Sequence, residues 1–121
     1  MNRPTVDLVV AINHVVRRDD EWFDEPDELD RVARALAAIE LIEDPVEAAA
    51  ILAFRVARAQ AFAEGNKRTA LLAARWVLDR NGLEGAAFLP SDDREIGALL
   101  VKAASGQDVG ADFVTLLSAR R

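Results

Sequence analysis

VEAAAILAFRVARAQAF, residues Val46–Phe62, is apolar at nearly every position, interrupted only by Glu47, Arg55, Arg58 and Gln60. TALLAARWVL, residues Thr69–Leu78, has the same character, with Arg75 as its interruption. A helix that is apolar on all sides has to be surrounded by other helices. The two segments therefore predict a pair of central helices, joined by the short junction Glu64-Gly65-Asn66.

Working outward, the weaker periodicities supply the surrounding layer. Leu29, Val32, Leu36 and Ile39 recur at helical spacing, as do Ile96, Leu99, Leu100 and Ala103, and Val109, Phe113, Leu116 and Leu117 suggest a short closing helix. Pro4, Pro26, Pro45 and Pro90 fall where helices should begin, since a first-turn residue has no use for its N–H. Asp44-Pro45 reads as N-cap plus first helical residue, and Pro90-Ser91-Asp92-Asp93 as a capped, acidic first turn. Asn81-Gly82 reads as a left-handed stop. Between Arg17 and Glu28 the charge density marks a solvated loop, in which Trp22-Phe23 is expected to fold back under the next helix or to wall a pocket. The expectation is an all-α, single-domain compact bundle of about six helices over residues 1–121.

Composition agrees. Hydrophobic residues make up 51% of the chain, tyrosine is absent, and alanine and leucine carry much of the apolar content, as in helical domains. A formal charge of −6 argues against direct binding of nucleic acid or of an anionic membrane. There is no cysteine for a disulfide or a thiolate site, no signal-peptide layout and no apolar run long enough to span a bilayer. A cytoplasmic protein is expected.

The chemistry concentrates in the junction. Gly65 permits a tight turn and close approach of a ligand. Asn66 is expected to N-cap the second central helix, whose remaining amides and dipole would favour an anion. Lys67 and Arg68 add positive charge, and Arg75, two turns on, would extend the cationic wall. Glu64 offers a hard oxygen suited to Mg²⁺. The plain alternative is a helix break with a Glu64–Arg68 ion pair across one turn. His14, the only histidine, is expected to be structural.

Phe62-Ala63-Glu64-Gly65-Asn66-Lys67-Arg68-Thr69-Ala70 resembles the signature of the Fic/Doc family, and in particular its Doc (death-on-curing) toxin branch. The resemblance implies a helical bundle whose central loop holds ATP or another nucleoside triphosphate with Mg²⁺. Carried over by position, Glu64 would hold the metal, Gly65, Asn66, Lys67 and Arg68 would hold the phosphates, and Phe62 would anchor the loop. Fic members generally transfer AMP to a protein hydroxyl. The Doc branch, with lysine at the position of Lys67, transfers phosphate to a translation elongation factor and is controlled by an antitoxin partner. The family's self-inhibitory pattern is not matched, because Ile96 follows Ser91-Asp-Asp-Arg-Glu95.

One position departs. The family's catalytic histidine is Gln60 here, and a neutral amide cannot take up a proton at physiological pH. Three explanations are open: a natural subgroup with lost or altered activity, an engineered change, or another base. The functional expectation is a Doc-like phosphotransferase toxin weakened by Gln60. The alternatives are a degenerate nucleotide- or protein-binding module, an AMP transferase, and a plain helical interaction protein.

Overall fold

The computed structural model describes residues 1–17 and 27–121. Among the described residues the helices are α1 (Val6–Val16), α2 (Leu29–Ala37), α3 (Pro45–Ala59), α4 (Asn66–Arg80), α5 (Gly85–Phe88), α6 (Arg94–Ala104) and α7 (Gly110–Ser118). The architecture is all-α. The helix beyond the expected six is α5, a single turn too short for periodicity to announce. The Trp22-Phe23 packing and the Pro26 helix start lie outside the described residues.

The two apolar segments are indeed the central pair. α3 packs against α2, α4, α6 and α7, and α4 packs against α1, α3, α5 and α6. Ala48, Ala49, Ala50, Ala53 and Ala57 of α3 are buried, as are Ala70, Ala73 and Ala74 of α4. Such short side chains let helix axes approach closely. The bulk that fills the remaining space comes largely from the surrounding elements: Val9, Val32, Ile39, Leu89, Ile96, Phe113 and Leu117 are essentially inaccessible.

Local signals set most of the boundaries. Asp44 caps α3 by accepting from the Val46 amide at 3.2 Å, with Pro45 as first residue. Thr5 caps α1 in the same way through the Leu8 amide. α4 ends as expected: Gly82 takes φ +83° and the Leu83 amide returns to the Leu78 carbonyl at 2.9 Å. The expectation for Pro90–Asp93 needs correction. That run precedes α6 rather than forming its first turn, and only Asp93 caps, accepting from the Ile96 amide at 3.0 Å.

The chain termini are tied back onto this frame. Asn2 and Asn81 exchange amide–backbone bonds of 2.8 and 2.9 Å, and Arg3 donates to the Ile42 carbonyl at 2.8 Å. Near the other end, Arg120 donates to the Phe88 carbonyl at 2.8 Å and pairs with Asp93 at 2.7 Å, while Arg121 bonds Asp44.

Candidate active site

The junction between α3 and α4 is a loop whose backbone atoms are held by its neighbours, one after another. The Ala59 and Gln60 carbonyls both accept from the Arg31 guanidinium, at 3.1 and 3.3 Å. The Ala61 carbonyl accepts from the Glu28 amide at 2.8 Å. Phe62 is bonded at both its amide (3.1 Å) and its carbonyl (2.9 Å) by the Asn66 side chain. The Glu64 carbonyl accepts from Asn13 Nδ2 of α1 at 2.9 Å. Buried carbonyls and amides left unpaired would be costly, so this set of bonds fixes the loop's course. Phe62, 4% exposed, plugs it into the core.

Asn66 corrects an expectation. Gly65, at φ +76°, occupies the N-cap position, and Asn66 is the first helical residue. The Asn66 side chain turns back to the loop instead of covering the amides of its own helix. Consequently, among the described residues, no side chain caps α4. The first backbone bond into the turn runs from the Thr69 amide to the Gly65 carbonyl at 2.9 Å. The amides of Asn66, Lys67 and Arg68 therefore stand outside the helix's own ladder, at the positive end of its dipole.

Asn13 is the residue that sequence reasoning missed. It is fully buried on α1, and its Nδ2 donates to both the Glu64 carbonyl and Thr69 Oγ1 (3.1 Å). The orientation is forced, because a carbonyl can only accept. The opposite atom, Oδ1, is buried and has no hydrogen bond among the described residues. A polar residue one turn from buried Val9, on the same face, was the available signal. Gly65 completes the fit: a Cβ there would stand 3.3 Å from Asn13 Nδ2, besides requiring the left-handed backbone.

Against this rigid interior, the charged side chains of the junction point outward. Glu64, Lys67 and Arg68 are exposed, and none has a hydrogen bond or ion pair with any described residue. The Glu64–Arg68 pair that the spacing allows does not form. One carboxylate, two cations and three amides without a partner among the described residues thus surround a single helix start. That set can hold a phosphorylated ligand and, through Glu64 together with phosphate oxygens, one Mg²⁺ ion. The donor chemistry fits a hard, largely hydrated cation, since Mg²⁺ usually keeps several waters and one or two carboxylates.

Gln60 has a different role from its neighbours. It is left-handed at φ 49°, closing α3, and its Nε2 donates to the Ala57 carbonyl at 2.8 Å. Its Oε1 accepts from Asn66 Nδ2 at 3.4 Å. The amide therefore stitches the end of α3 to the start of α4. Arg75 also departs from expectation. Its guanidinium bonds the Leu89 carbonyl at 2.6 Å and Ser91 Oγ at 3.0 Å, so it joins α4 to the α5–α6 junction instead of extending a free cationic wall. His14 is half exposed on α1, with Nε2 3.5 Å from Asp27, and makes no hydrogen bond to the loop among the described residues.

The class this defines is a helical bundle with an uncapped helix start, braced from behind and flanked by charges without a described partner. Comparison with protein-family models makes the assignment specific: the Fic/DOC family matches residues 8–78, which span most of α1 through α4. The chain belongs to the Fic/DOC family. A search of curated proteins returned no match. Among the described residues, no helix is long and apolar enough to cross a membrane.

Proposed function

We propose that the chain is a Doc-like toxin component of a toxin–antitoxin pair: a Fic-type transferase scaffold, built to move phosphate from ATP–Mg²⁺ to a protein hydroxyl and weakened by Gln60. The single observation that carries the nucleotide site is that Glu64, Lys67 and Arg68 have no partner, and α4 no side-chain cap, among the described residues. Phosphoryl transfer depends mostly on positioning and charge stabilisation, which these residues supply. Arg68 would grip a phosphate bidentately, Lys67 would add a point charge, and Glu64 would share Mg²⁺ with the phosphates. The ion's contribution when bound is neutralisation of phosphate charge. Lys67 favours phosphate over AMP as the transferred group. An elongation factor is the substrate that the Doc resemblance suggests, and an antitoxin chain the partner.

Gln60 sets the level of activity. It offers no proton acceptor, and loss of a general base typically costs roughly 10²–10⁴ in rate. Its amide is also engaged on both sides, by Ala57 and Asn66. That engagement favours a second reading, a nucleotide-binding module without transfer. The two separate in a bacterial lysate supplied with ATP labelled at the α- or γ-phosphate. Gln60→His should label a protein band with γ-phosphate far more strongly than the parent chain. Transfer of α-label would make the scaffold an AMP transferase. No labelling by either chain would leave the binding module.

A further inference from the structure

We propose that the cleft between α2 and α3 is a docking site for an acidic peptide segment of a protein partner, separate from the phosphate site at α4. The cleft is a concavity of about 280 Å³ lined by Arg31, Arg34, Arg55 and Arg58, with Ala35 and Ala59 at its base. Each helix contributes two arginines at three-residue spacing, so both walls of the cleft carry a pair of guanidiniums. The small alanines leave the space that the arginines border.

Gathering four of the chain's 15 basic residues into one cleft makes a local positive field on an acidic protein. Little in the described chain answers it. Arg34 lies 3.9 Å from Asp30, an exposed pair on its own helix. Arg31 directs one nitrogen to the Ala59 and Gln60 carbonyls. Arg55 and Arg58 have no carboxylate partner among the described residues; their guanidiniums lie 6.0 and 5.6 Å from the centre of the Phe54 ring. Contact with a ring face steadies a guanidinium while leaving its edge donors free.

The ligand chemistry follows from shape and charge. Arginine forks suit carboxylates bidentately, and a pair on each wall suits several carboxylates along one peptide. The space admits a few side chains, whereas a nucleic-acid strand requires an extended basic track on a protein whose charge here is −6. Through Arg31 the cleft adjoins Gln60, so a bound segment would lie beside the motif loop. None of this depends on nucleotide binding or transfer.

The test uses the full chain and a short fluorescein-labelled peptide of alternating glutamate and serine, followed by anisotropy at low and at physiological salt. The glutamate peptide should bind, and its glutamine counterpart should bind about tenfold more weakly or not at all. Arg55→Gln/Arg58→Gln should weaken the glutamate peptide about tenfold, while Lys67→Gln/Arg68→Gln leaves it unchanged. A thermal melt of each variant by circular dichroism confirms that the fold persists. The proposal fails if the parent chain does not bind the peptide or does not distinguish glutamate from glutamine. It fails equally if the α4 variant, and not the α3 variant, loses binding. Tighter binding of a single-stranded oligonucleotide through Arg55 and Arg58 would overturn it in favour of a nucleic-acid site.

Discussion

The start of α4 and the junction between α5 and α6 handle charge in opposite ways. At the junction three ionic groups close contacts within the fold: Arg75 holds Leu89 and Ser91, Asp79 accepts from the Gly85 amide at 2.7 Å, and Asp93 takes both the Ile96 amide and Arg120. At the α4 start it is the carbonyls of the preceding loop that are satisfied, by Asn13, Asn66 and Arg31, while Glu64, Lys67 and Arg68 have no described partner. Both regions are well built. The first uses charge to close the fold, and the second uses amides to hold a loop so that its charges stay available. Paired charge reads as structure and unpaired charge on a braced loop reads as recognition. The difference also explains why Arg75, on the helix of Arg68, does not share its role.

The contrast can be broken first at the loop's anchor. Phe62→Ala should cost about 3–5 kcal/mol, the usual range for emptying a buried aromatic site. Chemical denaturation would measure it. A loss below about 1 kcal/mol would mean that the loop is not seated in the core as described.

Asn13→Ala comes next. Removing a buried donor from the Glu64 carbonyl should cost about 1–3 kcal/mol. It should also weaken nucleotide binding, because the Glu64-Gly65 turn loses its brace. Unchanged binding by calorimetry would reduce Asn13 to a packing residue.

The smallest effect belongs to the paired region and is seen through pH. The Ile96 amide, with help from Arg120, holds the Asp93 carboxyl below its ordinary range, and Arg121, assisted by the Val46 amide, does the same for Asp44. A depressed folded pKa contributes stability that is present above the unfolded value of 3.8 and is lost as pH falls through the folded value. Asp93→Asn keeps a good capping residue, so at neutral pH it should cost less than about 1 kcal/mol. Its stability should also fall less steeply than the parent's as pH drops below about 4. Parallel pH profiles of the two chains would remove Asp93 from that account.

Much of the frame was legible because its causes are local. Apolar runs marked α3 and α4, Asp44-Pro45 marked a start and Asn81-Gly82 a stop, and the motif from Phe62 to Ala70 marked the family. What escaped was tertiary. Asn66 has the propensity of an N-cap, but Phe62 offers its side chain both an acceptor and a donor, and Gly65 takes the cap position instead. Asn13 contacts a loop some fifty residues away (the separation to Glu64 is 51), which no local pattern encodes. Arg75 shares a helix face with Arg68 by spacing, yet the chain folds Leu89 and Ser91 into its reach.

The central claim is that unpaired charge at the α4 start binds the phosphates of a nucleotide. Titration calorimetry of ATP–Mg²⁺ into the parent chain, Arg68→Glu and Arg75→Gln tests it most directly. The expected result is binding to the parent and to Arg75→Gln, with none to Arg68→Glu although its thermal melt is preserved. Equal binding to the parent and Arg68→Glu, or no binding to the parent at all, would contradict the claim.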